Sequence, residues 1–240
     1  IKFLKRKVSG YVYLRSDGSK EYQKKIGIVG VIFYKWMFNY FKNNLKIISV
    51  SKKIYNSDKK LIVKPSELDQ DWFYNQKKIS TSKPKVLYLG RIKVEKGVYS
   101  LLKLFGEIKK NYKLSIVGGS SNFKKGSKIS FFKQVSKKKE LIKLYDNHNI
   151  FILPSYTEGA PKVILESLSR LRPVIVFKEI KHVKFNFRGI FICERKTYNL
   201  EKKINYILQN YKNIQKEMKR NNLPSKNKFQ KDLIKILNAN

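Results

Sequence analysis

The stretch NIFILPSYTEGAPKVILESLSR, from Asn149 to Arg170, decides the fold. Its apolar first part, NIFILPS, predicts a buried strand, and PKVILESLSR predicts a helix with proline in its first turn. Glu158 therefore lies in a strand-to-helix loop and Glu166 within the helix. A helix N-terminus binds anions through its unpaired N–H groups and its dipole. Carboxylates beside such a site are costly unless they bind something specific, and nucleotide sugars are the obvious ligand class.

Outward from this stretch, the sequence after Pro84 alternates predicted strands with predicted helices. Strands separated by helices of about ten residues imply right-handed βαβ units and a parallel sheet. We therefore predict an α/β fold with a Rossmann-like C-terminal domain. Ligands of such sheets bind at the carboxyl ends of the strands, so the loops GRIKVEKG, GGSSN and PSYTEGAP are expected to converge on one site. The predicted strands are KVLYLG, KLSIVG, KISFF, NIFILP, PVIVF and GIFIC.

The part before Pro84 predicts a smaller, partial Rossmann-like domain. Tyr11–Arg15 predicts a strand, followed by a turn over Ser16–Ser19. Lys46–Val50 and Leu61–Val63 predict two more short strands. The polar stretch PSELDQDWFYNQKKISTSKP, with a proline at each end, predicts a linker.

The most apolar run of the chain extends from Ile26 to Phe41. Lys35 interrupts it, and it is short for a membrane span of about 20 residues. A packed helix is the default prediction. The alternative is a helix at a membrane interface, because Trp36, the neighbouring tyrosines and the flanking lysines suit the headgroup boundary.

The formal net charge of +37 has two interpretations. One is a polyanionic partner, either nucleic acid or an anionic membrane surface. The other, which we favour, is a biased composition, because lysine greatly outnumbers arginine and the lysines are spread over the whole chain. A chain this basic should adhere to anionic lipid under either interpretation.

The single cysteine, Cys193, excludes an internal disulfide and fits a reducing compartment. It lies in the apolar run GIFIC, which predicts a buried strand residue and not a nucleophile. The first residues, from Ile1 to Lys7, contain no apolar core followed by a cleavage site. We therefore expect a cytoplasmic protein.

Two cations in the first of the three loops suit a diphosphate group. Arg91 directly follows the strand KVLYLG, and Lys96 precedes Gly97. Arginine can bind phosphate oxygens with two donors and lysine acts as a point charge. Lys96 alone means little in a lysine-rich chain, whereas arginine is scarce. Gly118 and Gly119 would let the backbone approach a ligand closely, although an ordinary turn explains them equally well.

Several other site classes are disfavoured by the sequence. No GxGxxG fingerprint occurs, and GGSSNFKKGS lacks the end of a P-loop. Asp69-Gln70-Asp71 matches a D-x-D metal pattern but lies in the linker, so we predict no metal. His148 and His182 lack partners at metal-ligand spacing. We expect His148, in the polar turn DNHN, at the surface.

The segments YLGRIKVEKG, ELIKLYDNHNIFILPSYTEGAPKVILES and RPVIVF, in this order, resemble the C-terminal half of family-4 (group 1) retaining glycosyltransferases, which have the GT-B fold. That family carries an E-x7-E element, here Glu158 and Glu166. It also carries Gly-Arg followed by Lys-Gly, here at Arg91 and Lys96. The resemblance covers roughly residues 83–193, and the first 80 residues match more loosely.

The resemblance implies a role for each residue. Arg91 and Lys96 would hold the donor diphosphate, Glu158 would contact the transferred sugar, and Glu166 would bind the ribose hydroxyls. A nucleotide-diphosphate sugar would be the co-substrate, with no cofactor and no metal, because two cations and a helix dipole supply the charge stabilisation. The remaining implied donor-binding residues are Gly90, Gly118, Gly119, Val135, Ser136, Gly159, Ala160, Pro161 and Val163.

Together these observations predict a partial acceptor-side domain over residues 1–80, a nucleotide-sugar-binding domain over 81–222, and a terminal helix over 223–240, for which a return to the first domain is one hypothesis. The family's first domain is about twice as long, so we expect an N-terminal truncation.

The expected function is retaining transfer of a sugar to a glycan or lipid-linked acceptor in cell-surface polysaccharide synthesis, at the inner face of the plasma membrane. The alternatives are a basic nucleic-acid-binding protein, for which no reader module is recognisable, and a nucleotide-binding module without activity.

Overall fold

The computed structural model describes residues 10–15, 18–52, 54–56, 58, 61–119 and 126–239. These residues form two compact units. The first unit takes the described residues up to Glu67 together with those from Pro224, and the second extends from Leu68 to Leu223. The predicted boundary at residues 80 and 81 therefore differs from the one observed.

The second unit is built on a six-stranded parallel sheet with the strand order β5-β4-β3-β6-β7-β8. β6 and β7 are buried along their whole length, as expected for parallel strands covered on both faces. The order reverses between β3 and β6, where doubly wound sheets bind their ligands. The strands are β3 (Lys85–Leu89), β4 (Lys113–Val117), β5 (Ile129–Phe132), β6 (Ile150–Leu153), β7 (Val174–Phe177) and β8 (Ile190–Cys193).

Helices cover both faces of this sheet, and each face has its own apolar core. One core packs against α2 and α5 through Leu101, Phe105 and Ile204, and the other against α3 and α4 through Tyr145 and Leu168. The α/β prediction for this part of the chain is confirmed. The helices are α2 (Val98–Glu107), α3 (Lys138–Asp146), α4 (Lys162–Ser169), α5 (Thr197–Gln209) and α6 (Tyr211–Met218).

The predicted linker after Pro65 is largely part of the second unit. Trp72 is buried there, and its ring meets the Tyr145 ring edge-on at 6.0 Å. The Arg170 guanidinium donates to the carbonyl oxygens of Trp72 and Tyr74, and it pairs with Asp146 at 2.8 Å. A buried arginine needs hydrogen-bond acceptors, and Arg170 finds them in this segment. It thereby holds the segment against α3 and α4, and the boundary between the two units lies after Glu67.

The first unit contains β1 (Tyr11–Leu14), α1 (Gly18–Asn44), β2 (Lys46–Ser49) and α7 (Lys226–Leu237). β1 and β2 pair in parallel, and α1 connects them. The predicted strand at 61–63 makes only an isolated bridge, between Ser49 and Ile62. The predicted turn differs as well: α1 begins at Gly18, and positions 16 and 17 lie outside the described residues.

The terminal helix α7 packs within the first unit. The Tyr11 hydroxyl donates to the Ile236 carbonyl oxygen at 3.0 Å, and the Tyr13 ring stacks on Phe229. Ser225 caps the start of α7 by accepting from the Lys228 N–H. The last helix of the chain and the first strand therefore belong to one unit.

Candidate functional site

The loops that leave β3 and β6 meet through an ion pair. Lys96 ends a short 3-10 helix, Val94–Lys96, and its Nζ lies 2.7 Å from Oε1 of Glu158. Ser155 donates its hydroxyl to the same oxygen at 2.7 Å. The two charged side chains are only 23% and 12% exposed. Two residues predicted from separate motifs thus form one partly buried cation–carboxylate pair.

Two adjoining cavities of about 270 and 180 Å³ open at this edge of the sheet. They share Leu89, Gly90, Arg91 and Val163 as lining residues. Clefts of this kind, with a few convergent polar groups, are typical ligand sites. The predicted site residues that line at least one of them are Gly90, Arg91, Lys96, Gly118, Val135, Glu158, Pro161 and Val163.

The start of α4 faces the larger cavity. Pro161 and Lys162 line this cavity, and Val163 lines both. Pro161 is the N-cap of α4, with φ −71° and ψ 118°, and the helix begins at Lys162. The first N–H groups of a helix have no intrahelical acceptor and carry a positive partial charge. Arg91, Lys96 and this helix start therefore place positive charge around one cavity.

Glu166 lies one turn further along α4 than Val163, so both residues are on the same side of the helix. Its Oε2 accepts a hydrogen bond from the Tyr145 hydroxyl at 2.9 Å. Burial raises the pKa of Tyr145 well above its ordinary value, and the nearby Glu166 charge adds to the effect. Tyr145 therefore stays protonated and orients this carboxylate, while the predicted contact of Glu166 with a ribose stays a prediction.

The remaining predicted donor-binding residues adjoin the cavities along the chain without lining them. Gly119 and Ser136 directly follow the lining residues Gly118 and Val135, and Gly159 and Ala160 fill the loop before Pro161. The GGSSN loop from Ser120 lies outside the described residues.

Gly118 is required by the backbone. Its φ is 149°, and a Cβ there would lie 1.7 Å from the Gly90 carbonyl oxygen. Any side chain would therefore push β3 and β4 apart where both strands end at the smaller cavity. This close approach is between two strands, so the predicted contact of Gly118 with a ligand stays a prediction.

Two residues near the pair were missed by the sequence analysis. His182, on the 3-10 helix Lys178–Lys184 after β7, places its Nε2 2.7 Å from the Glu158 carbonyl oxygen. Arg195 follows β8 and donates to the Pro154 carbonyl oxygen at 2.9 Å. Arg91 was singled out because arginine is scarce in this chain and Arg91 follows the carboxyl end of a strand. The same two criteria would have identified Arg195 as well.

The prediction for His148 is wrong, because the ring is buried. Its Nδ1 lies 2.6 Å from the Leu144 carbonyl oxygen, and its Nε2 lies 2.8 Å from the Ser115 hydroxyl. Burial lowers the pKa of His148 to about 4 despite the Leu144 hydrogen bond. The neutral ring therefore links α3 to the sheet through hydrogen bonds to Leu144 and Ser115.

The D-x-D pattern forms an ion cluster with a lysine. The carboxylates of Asp69 and Asp71 both pair with Lys138 at the start of α3. In the part of the chain that the structure describes, no group of three histidine, cysteine, aspartate or glutamate side chains could hold a metal ion. Cys193 is buried as predicted, and burial raises the pKa of its thiol to about 11.

The sequence matches the family described as "Glycosyl transferases group 1" over residues 69–223. It is also 24% identical, over 138 residues, to the N,N'-diacetylbacillosaminyl-diphospho-undecaprenol alpha-1,3-N-acetylgalactosaminyltransferase of Campylobacter jejuni. That match covers 54% of this chain, which spans 37% of the relative's length.

Solved structures show the same fold. Anabaena Alr3699/HepE in complex with UDP and glucose has a TM-score of 0.74 at 12% identity, over 96% of this chain and 71% of that one. WaaG, a glycosyltransferase involved in lipopolysaccharide biosynthesis, has a TM-score of 0.69 at 14% identity, over 98% and 77%. These likenesses confirm the predicted GT-B type of fold.

Proposed function

Because the chain belongs to the group 1 glycosyl transferases, we propose that it transfers a sugar, with retention of configuration, from a nucleotide-diphosphate sugar to a glycan or lipid-linked acceptor. The observation that carries the proposal is the Lys96–Glu158 pair beside Arg91 in one cavity at the reversal of strand order. A cation, a carboxylate and a helix start at one cleft match a ligand that joins a diphosphate to a sugar.

In this proposal the diphosphate lies between Arg91, Lys96 and the start of α4. Arg91 binds phosphate oxygens with its planar fork, and Lys96 moves from Glu158 toward the phosphate. Both cations and the N–H groups of α4 stabilise the charge that develops on the departing nucleoside diphosphate. The carboxylate of Glu158 then accepts hydrogen bonds from the hydroxyl groups of the transferred sugar.

The nucleoside occupies the smaller cavity in this arrangement. Gly118, Gln134 and Val135 line this cavity, and the base packs against Gln134 and Val135. Glu166 binds the ribose hydroxyls with its carboxylate, which Tyr145 orients. The donor thus extends from the loop after β5 to the loop after β6.

Calorimetric titration with UDP, GDP, ADP and their glucose and N-acetylgalactosamine derivatives tests the proposal. We expect one base to bind, and Arg91→Ala to weaken that binding by about 10-fold or more. Lys93→Met is the matched control, because Lys93 is exposed in the same loop. Equal affinity of the wild type and Arg91→Ala would refute the site assignment.

A second proposal concerns the location of the protein. We propose that it works at an anionic membrane surface, as a peripheral protein on the inner face of the plasma membrane. The supporting observation is an exposed apolar face of α1. Ile28, Val29, Ile32, Phe33 and Trp36 recur at helical spacing, and each is at least 50% exposed.

The charge of this helix complements anionic lipid. Lys35 and Lys42 are exposed on α1 beside the apolar face, and the formal charge of the chain is +37. No helix in the described ranges is long and apolar enough to cross a bilayer. The Campylobacter jejuni relative is named for an undecaprenol-linked acceptor, which fits work at a membrane.

A further inference from the structure

Arg195 joins the two loops that carry Lys96 and Glu158. Its Nη2 donates to the Pro154 carbonyl oxygen at 2.9 Å, at the start of the Glu158 loop. Its Nη1 donates to the Ser100 hydroxyl at 2.7 Å. Ser100 in turn donates to the carbonyl oxygen of Gly97, the residue after Lys96, at 2.9 Å. One guanidinium therefore connects both halves of the Lys96–Glu158 pair.

The Arg195 side chain is itself held in place. Its Cζ lies 4.2 Å from the ring centroids of both Tyr156 and Phe177, so the guanidinium stacks on two aromatic faces. Its Nε donates to Glu179 at 2.7 Å, and the side chain is 15% exposed. These contacts make it a fixed part of the protein and not a mobile surface charge.

The two loops are pressed together where Arg195 binds them. A Cβ on Gly97 would lie 2.0 Å from the Pro154 carbonyl oxygen. The Tyr156 N–H also donates to the Glu95 carbonyl oxygen at 3.0 Å. Because so little space separates the loops, releasing one of them would change the separation of Lys96 and Glu158 directly.

We propose that Arg195 is a positioning residue for sugar transfer. It holds the loop of Lys96 against the loop of Glu158, so that the cation and the carboxylate meet the donor in a set relation. The inference rests on the proposed function, and it adds a residue that acts through these two loops without touching the donor.

A double-mutant cycle on the 240-residue chain tests the proposal. The affinity of the tightest-binding diphosphate among UDP, GDP and ADP is measured for Arg195→Ala, Lys96→Ala and the double variant. We expect Arg195→Ala to weaken binding about 10-fold, and the double variant to bind little more weakly than Lys96→Ala alone. A general structural effect would instead give additive losses, and additive losses or no loss in Arg195→Ala would overturn the inference.

Two further variants complete the test. Arg188→Ala is the control, since Arg188 is an exposed arginine of the same unit that pairs with Glu217 at 3.3 Å, and it should leave the affinity unchanged. Where Arg195→Ala does not fold, as judged by circular dichroism, Ser100→Ala replaces it in the cycle and should weaken binding about threefold with the same coupling to Lys96. Failure of every diphosphate to bind, or an unchanged affinity in Lys96→Ala, overturns the proposed function. An effect of Lys96 without coupling to Arg195 or Ser100 overturns only this inference.

Discussion

The Lys96 ammonium and the Glu158 carboxylate lie 2.7 Å apart, although 62 positions separate them in the chain. The two residues belong to loops that leave different strands, Lys96 after β3 and Glu158 after β6. The pair also has a consequence for ligand binding. An anion that enters the cavity competes with Glu158 for Lys96. Substitution of Lys96 and substitution of Glu158 should therefore have different effects on the affinity for an anion.

Lys96→Met should weaken the binding of a nucleoside diphosphate by about 10- to 100-fold, because it removes a cation and leaves a partly buried carboxylate beside the phosphates. Glu158→Gln should leave this binding unchanged or strengthen it a few-fold, since Lys96 is released, while it lowers the rate of sugar transfer. Isothermal titration with UDP, GDP and ADP measures both effects. A loss of diphosphate affinity in Glu158→Gln similar to that in Lys96→Met would contradict the assigned roles.

Gly118→Ala should destabilise the second unit by more than about 1 kcal/mol. The added Cβ would clash with the Gly90 carbonyl oxygen, at a φ that alanine rarely adopts. Gly106→Ala is the matched control. Gly106 lies in α2 with open space around it, so alanine there should stabilise by about 0.5–1 kcal/mol. Urea unfolding of both variants measures the difference, and the same sign for both would count against the close approach.

Asp146→Ala should cost about 3–5 kcal/mol, because it leaves the buried guanidinium of Arg170 without its carboxylate. Glu217→Ala removes a carboxylate that pairs with Arg188 and Arg220 at the surface, and it should cost at most about 1 kcal/mol. Chemical denaturation provides both values. Equal costs would mean that Arg170 finds other acceptors in the segment after Trp72.

His148 should make the stability depend on pH. The pKa of this residue is lowered from 6.5 to about 4, so the unfolded chain binds more protons than the folded chain between these values. Its contribution is therefore fully present above about pH 6.5 and is lost as the pH falls toward about 4, by up to about 3 kcal/mol. His148→Gln, which does not titrate, should flatten the pH dependence of the free energy of unfolding. The same slope in wild type and variant would argue against a buried neutral ring.

The exposed face of α1 should bind vesicles that contain phosphatidylglycerol, and bind phosphatidylcholine vesicles more weakly. The double substitution Ile32→Ser and Trp36→Ser should reduce vesicle binding about 10-fold or more, since it removes apolar area that inserts at the interface. Tyr198→Ser is the control, because Tyr198 is 72% exposed on α5. Sedimentation and co-flotation measure the outcome. A different outcome would contradict this prediction: the wild type binds no vesicles but self-associates, and the double substitution abolishes the self-association. The exposed face of α1 would then bind a second copy of the chain.

Much of the second unit could be predicted from local patterns. The predicted strands from KVLYLG to GIFIC are all present, because short apolar runs between helical patterns have few other ways to be buried. The first unit was harder to predict: the strand predicted at 61–63 is a single bridge, and positions 18 and 19 of the predicted turn belong to α1. Short polar segments carry little periodicity, so tertiary contacts decide their conformation.

His148 and the segment around Trp72 show why polar patterns mislead. The turn DNHN is polar and predicts exposure, yet Ser115 and Leu144 supply partners for both nitrogens of the buried ring. The segment after Pro65 resembles a linker, yet Arg170 binds its carbonyl oxygens. A polar group is buried wherever distant residues satisfy its hydrogen bonds, and no local pattern states which residues these are.

The amino-acid sequence by itself determined the alternation of strands and helices, the loops at the carboxyl ends of the strands, and the residue types that suit a diphosphate and a sugar. The tertiary structure decided which loops are neighbours. The order of strands placed β3 beside β6, which brought Lys96 to Glu158 and allowed Arg195 to bind both loops. Periodicity records which side of an element is buried, whereas the pairing of parallel strands depends on contacts between segments far apart in the chain.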